Sequence, residues 1–427
     1  MRRVRGGSAC LAAGIVVALA GCAADVPTGP SATTTPTTAP AHSALKTIVA
    51  AGFRDVVQRL AQQMRVPGAV VVLRTPQGNV TAAVGTTELD TQVPPTAATH
   101  FRIASNTKTM TAALIVLLAQ HGRLRFSDPV ADYVPNVPNG NDITIAELLT
   151  MRSGLDNYTA DPDFAATLDA DPAKVWTPEE VLAIAFRQPP RSGPGTSYDY
   201  CNTNYALLGL VAEKAGGRSL AEQFQDRFFR PLGLDQTSLP AAADAGVIPA
   251  PYSHGYMYGA TRFALADVDY AADIQAAASA GTLRPLDYTA QNSSYATAAG
   301  GAISTADDMA TWIRALVSGQ VFNADYQQQW LASPQAEDPA QPDGQKYGYG
   351  ISYQRFGPHA AMYYHGGELP GFNSFIGYDP ENDVSLVIWT DLTLAPDGRT
   401  TANAMLPAIL DEIYPGLSLA PATPTTR

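Results

Sequence analysis

From Leu45 onward the apolar positions Leu45, Val49, Phe53, Val56, Val57 and Leu60 recur at helical spacing, which predicts an amphipathic helix beginning near residue 45. Two β-rich runs follow in GAVVVLRTPQGNVTAAVG, and Pro76-Gln77-Gly78-Asn79 between them predicts a hairpin. The pattern returns near the other end, where FNSFIGYDPENDVSLVIWTD reads as two strands around residues 379–383, with a helix after them over about 400–413. Between these sheet-forming ends the chain is mostly helical. Thr144 with Glu147 and Thr177 with Glu180 are capping boxes, the second with Pro178 at the first helical position. The expected fold is α/β (α+β). An antiparallel sheet flanked by helices is built from both chain ends, about 45–104 and 345–413, around an all-helical insert of about 115–340. The junction is a natural cleft. Residues 241–291, rich in Ala and Asp, receive no assigned elements.

The first residues have a different composition. Arg2, Arg3 and Arg5 precede an apolar run over residues 10–20, too short to span a bilayer and laid out as a secretory signal. The run closes with Leu19-Ala20-Gly21-Cys22, which resembles the lipobox of bacterial lipoproteins. That resemblance implies a signal peptide over 1–21 and Cys22 as an acylated anchor on the extracytoplasmic face of the cell membrane. The export route, general or twin-arginine, stays open. Residues 22–44, mostly Thr, Pro and Ala, cannot bury enough surface to fold and read as a tether, and residues 416–427 as a disordered tail. The expected catalytic domain is 45–415. Of three cysteines, Cys10 leaves with the signal and Cys22 takes lipid, so only Cys201 remains and no disulfide forms within the mature chain. Cys201 reads as a small packed residue. A net charge of −12 leaves no basic footprint for nucleic acid.

Three segments carry candidate chemistry. In FRIASNTKTMTAAL, Ser105 and Lys108 stand at i and i+3, so on a helix they share one face about 5–6 Å apart at Cβ. A serine there also meets free backbone NH groups and the positive end of the helix dipole. Spacing alone is weak, since Ser43 and Lys46 match it at the edge of the tether. Met110, Leu114, Leu117 and Leu118 set Ser105 apart by burying the helix behind it. In SGPGTSYDYCNTNYALLG, Tyr200 offers a phenol for proton transfer and Asn202 an amide for substrate. In YYHGGELPGFNSFIGY, His365, Gly366 and Gly367 lead into a strand whose edge is open to a substrate.

With these motifs in order, the chain resembles the serine β-lactamase and D-alanyl-D-alanine carboxypeptidase superfamily, in its class C-like branch, over most of residues 45–413. Leu148-Leu149-Thr150-Met151-Arg152-Ser153-Gly154-Leu155, Pro231-Leu232-Gly233-Leu234, Gly300-Gly301-Ala302-Ile303-Ser304-Thr305 and Pro370-Gly371-Phe372 look like its landmarks, and His254 like a structural one. The resemblance implies a β-lactamase/transpeptidase-like fold. It also implies Ser105 as acylated nucleophile, Lys108 as its proton partner, Tyr200 as general base and then acid, and Asn202 as substrate contact. The oxyanion hole is implied at the NH groups of Ser105 and Glu368, after the His365 to Gly367 motif. No metal or cofactor is implied. Lys346 is a rival to His365, but the downstream landmarks favour His365. Many class C-like enzymes carry lysine at this position, and a neutral histidine attracts a substrate carboxylate less. In the peptidase branch an arginine just after a Gly-Tyr-Gly can do so, but here the first arginine is Arg355. The expected activity is that of a cell-envelope serine hydrolase, D-alanyl-D-alanine carboxypeptidase-like or β-lactamase-like, acting on a small molecule or peptidoglycan peptide. The alternatives are a carboxylesterase with the same site and a low-turnover penicillin-binding or sensor lipoprotein.

Overall fold

The computed structural model of the protein describes residues 45–417 with the exception of residue 267. The expected signal peptide, Cys22, the tether and residues 418–427 of the expected tail lie outside the described residues.

The first helix, α1 (Ala50–Gln63), starts five residues later than its periodicity predicts. Val49 is its extended N-cap, and Leu45 and Ile48 pack against the core without being helical. The hairpin forms as expected from β1 (Gly68–Thr75) and β2 (Gly78–Gly85), which close across Thr75 and Gly78. Among the described residues the main sheet takes six more strands. They are β3 (Gln335–Ala336), β4 (Lys346–Tyr347), β5 (Ser352–Gly357), β6 (Ala360–Leu369), β7 (Phe372–Asp379) and β8 (Val384–Thr390). Their order is β2-β1-β8-β7-β6-β5-β4-β3, antiparallel throughout, so the N-terminal hairpin joins the C-terminal strands where Val71 faces Ile388. The sheet therefore comes from both ends of the chain.

Helices cover both faces, which is why every residue of β7 and β8 is buried and their sequences run apolar without alternation. Ala69, Val71, Leu73, Leu386 and Ile388 meet α1 and α5 (Thr401–Ile413) on one face. Val70, Val72, Val387 and Trp389 meet the helical region on the other, where Phe101 stacks on Trp389 at 5.1 Å. Two elements inside the expected insert range belong to this sheet layer. The helix α4 (Ala306–Val317) lays Met309, Ile313 and Leu316 against it, and β3 lengthens its edge. Leu417, placed in the expected tail, packs within the core on the α1 face.

The remaining helices assemble around two buried ones, α2 (Thr107–Gln120) and α3 (Asn202–Gly216), which pack against each other. Both capping boxes are present, at Ile145–Leu149 and Pro178–Ala185. The segment that received no assignment forms only short pieces, of which Ala272–Ala280 is the longest. Serine, lysine and tyrosine motifs meet where α2, α3 and β6 converge.

Candidate active site

Polar residues in the turn around Ser105 bond to their own backbone, which lets a hydrophilic run enter the core. Asn106 Nδ2 donates to Ile103 O at 2.8 Å, Thr107 Oγ1 to Ala104 O at 2.8 Å and Thr109 Oγ1 to Asn106 O at 2.7 Å. The 3₁₀ turn Ala104–Asn106 then continues into α2, leaving Ser105 half-buried while Asn106, Thr107 and Lys108 are buried. Ala104 holds φ at +51°, a left-handed conformation that costs a non-glycine residue roughly 1–3 kcal/mol and clusters at functional sites.

Lys108 Nζ lies 2.9 Å from Ser105 Oγ, 2.7 Å from Asn202 Oδ1 and 2.8 Å from Ala299 O. The last two atoms can only accept, so they take two of its hydrogens. In a neutral amine the remaining position is a lone pair, and it faces the serine hydroxyl. Burial holds the Lys108 ammonium well below the ordinary lysine range, which favours that neutral form.

Tyr200 adjoins Ser105, and its ring centroid is 4.9 Å from Lys108 Nζ. Burial pushes its phenol up, more strongly than the Ser105 contact lowers it. Lysine and tyrosine are thus displaced in opposite directions, towards an amine and a phenol. Asn202 opens α3 without capping it, because the N-cap is Cys201. Its side chain spans the cleft floor, accepting from Lys108 and donating to Thr159 Oγ1 at 3.0 Å.

His365 lies on β6, with Tyr200 6.4 Å away between ring centroids. Its Nδ1 is 2.6 Å from Gly366 O and its Nε2 is 3.0 Å from Tyr347 Oη. Burial, with Lys108 nearby, lowers its pKa to about 3. Pairing between β5 and β6 ends at Tyr364, so the following residues present a strand edge on that side. Gly367 comes against the nucleophile turn: a Cβ there meets Ile103 O at 2.3 Å and Ser374 Oγ at 2.6 Å. That approach requires glycine, and it brings β6 against the Ala104–Asn106 turn.

Other singled-out residues stand elsewhere. Lys46 pairs with Asp411 at 3.5 Å, tying the N-terminal segment to α5. Lys346 sits on β4, between β5 and the edge strand β3, and it is its neighbour Tyr347 that reaches His365. Arg355 pairs with Glu381 at 2.7 Å. Cys201 is buried, its thiol pushed up to about 11 by burial, with Sγ 3.5 Å from Leu155 O and Asp156 O. His254 bonds Asp287 at 2.7 Å between Tyr252 and Tyr256. Among the described residues no group of three or more His, Cys, Asp or Glu is arranged to hold a metal. Tyr347 and the Ala299 carbonyl escape sequence reasoning. The first lies beside a more conspicuous lysine, and a carbonyl carries no side-chain signature.

A serine joined to a lysine and a tyrosine beside a strand edge is the apparatus of a serine acyl hydrolase. The chain belongs to the beta-lactamase family, whose model matches residues 53–408, and is a serine hydrolase of that fold. A D-stereospecific amidohydrolase from Streptomyces sp. superposes with a TM-score of 0.71 at 26% identity, covering 85% of this chain and 98% of that one. The D-amino acid amidase of Ochrobactrum anthropi SV3 shares the fold, with a TM-score of 0.72 at 23% identity over 85% of this chain and 97% of that one. Protein flp of Staphylococcus aureus strain MW2 is 29% identical over 189 residues, 43% of this chain. The match spans only 37% of the length of that relative.

Proposed function

We propose that the protein is an amidohydrolase or peptidase that acylates Ser105 and hydrolyses the acyl-enzyme with water. The observation that carries this reading is the three-way setting of Lys108 Nζ, which in its neutral form turns a lone pair to Ser105 Oγ. As the serine attacks the substrate carbonyl, its proton passes to Lys108. The oxyanion forms against the NH groups of Ser105 and Glu368. The Tyr200 phenol gives its proton to the departing nitrogen or oxygen and recovers one from the Lys108 ammonium, which stands beside its ring. This divides the work differently from the general-base tyrosine that the family resemblance implies. Here lysine is the base and tyrosine the acid, because burial drives their proton affinities apart.

The D-stereospecific amidohydrolase from Streptomyces sp. supports amides of D configuration as the substrate class. Initial rates on D-phenylalaninamide, L-phenylalaninamide, a penicillin and a p-nitrophenyl ester test it. The reading expects the D-amide to be turned over at least tenfold faster than the L-amide. Equal rates on both enantiomers, or turnover of the ester alone, favour the carboxylesterase alternative. Cell-envelope anchoring through Cys22 is part of the same proposal and is supported by the Leu19-Ala20-Gly21-Cys22 motif. Cys22→Ser is expected to release the protein from membranes, and unchanged retention counts against the anchor.

A further inference from the structure

His365 has no free ring nitrogen. Gly366 O only accepts, and at 2.6 Å from Nδ1 it requires a hydrogen there. In the neutral ring Nε2 then bears the lone pair, and Tyr347 Oη at 3.0 Å supplies the matching donor. Tyr347 is itself fixed within aromatic neighbours. Its ring stands edge-on to Tyr200 at 6.2 Å and to His365 at 5.8 Å, with Tyr198 at 5.8 Å on another side.

We propose that Tyr347 is a positioning residue that sets specificity: by donating to His365 Nε2 it holds the imidazole as the neutral Nδ1–H tautomer, so the cleft takes acyl donors whose leaving side carries no free carboxylate. This rests on the Ser105 hydrolase reading above. Lys108 from α2, Tyr200 from the segment before α3 and Tyr347 from β4 act on or touch the His365 ring. Tyr198 and Tyr205 stand against Tyr347, and the carboxyls of Glu337 and Glu368 act on Tyr200. The charged group that acts on the histidine is Lys108, which works against an imidazolium. Protonating Nε2 requires the Tyr347 hydroxyl to turn from histidine to Tyr205, which it also contacts. A hydrogen bond to the neutral form works against charging, in the same direction as burial.

The neighbouring guanidinium groups do not replace the missing cation. Arg152 donates to Thr150 O at 2.8 Å and Ala336 O at 2.9 Å, and its guanidinium lies 5.6 Å from the Tyr198 ring centroid. Arg355 is paired with Glu381. The lysine that many class C-like enzymes carry at the His365 position is thereby replaced by a neutral wall. A carboxylate brought there loses water without gaining a charge partner.

The test compares N-acetyl-D-alanyl-D-alanine with its C-terminal amide, which differ only in that carboxylate. Ratios of kcat/KM are measured from pH 4 to 8 for the wild type and Tyr347→Phe, with nitrogen-15 NMR of the His365 ring in both. In the wild type the amide is expected to be preferred at least tenfold at every pH, with His365 in the neutral Nδ1–H form at pH 5. In Tyr347→Phe the ring is expected to take up its proton at least one pH unit higher, and the ratio to move at least fivefold towards the carboxylate as pH falls. A wild-type ring protonated at pH 5, or a variant ratio that follows the wild type, overturns the proposal. Labelling of Ser105 by a fluorophosphonate, which carries no carboxylate, reports separately on the hydrolase reading and on whether the variant is folded. The wild-type spectrum decides the tautomer if the variant does not fold.

Discussion

Lys108 Nζ stands 2.9 Å from Ser105 Oγ with its other two contacts fixed on acceptors, so its protonation state decides whether the serine has a base. With the amine as the proposed working form, acylation is expected to be lost as pH falls through the depressed Lys108 value. Lys108→Met should lower the acylation rate about 10³-fold, within the range for removal of a general base. Stopped-flow acylation with a chromogenic ester across pH reads both effects.

Asn202 Oδ1 lies 2.7 Å from Lys108 Nζ, which makes Asn202→Asp a charge probe. A carboxylate there favours the ammonium, so the acid limb of the acylation profile is expected to move to higher pH. Asn202→Leu removes the acceptor and the Thr159 contact together and should slow acylation without that shift. A profile in Asn202→Asp that coincides with wild type counts against lysine as the base.

Gly366 and Gly367 offer a matched pair on one strand. A Cβ at Gly367 meets Ile103 O at 2.3 Å, whereas one at Gly366 meets nothing closer than 3.8 Å. Gly367→Ala should cost about 1–3 kcal/mol in stability as an overpacked substitution. It should also displace the Glu368 NH and lower acylation by about 10²-fold, the lower range for losing an oxyanion donor. Gly366→Ala should leave the melting temperature and rate near wild type. Thermal melts and acylation rates on the two variants check this.

His365 is held neutral in the fold, at about 3, while the unfolded chain binds its proton near the ordinary histidine value of 6.5. Between those values the unfolded state holds the extra proton, so stability is expected to fall with falling pH, by up to about 1.4 kcal/mol per pH unit. His365→Gln should flatten that part of the curve, as read by urea melts at successive pH values.

How far the sequence revealed this arrangement depended on how local each signal was. The Pro76-Gln77 turn and the Thr144 and Thr177 capping boxes needed only a few adjacent residues, and each formed as expected. The helical period from Leu45 ran on through Val49, whose backbone is extended, because apolar spacing does not mark where a helix starts without a cap. Ser105 and Lys108 share one turn of chain and were visible as a pair. Tyr347 and Ala299 reach the site only through strand pairing and helix packing, so it was their neighbours Lys346 and Gly300 that drew notice in the sequence. The opposite displacement of the Lys108 and Tyr200 proton affinities was likewise hidden, because burial sets it and residue identity does not.

The central claim is that Ser105 is the acylated nucleophile, and intact-mass spectrometry of the folded protein after exposure to a fluorophosphonate tests it most directly. The account predicts one phosphonyl adduct on the wild type, mapped to the peptide containing Ser105, and none on Ser105→Ala. An adduct of equal size and rate on Ser105→Ala contradicts it.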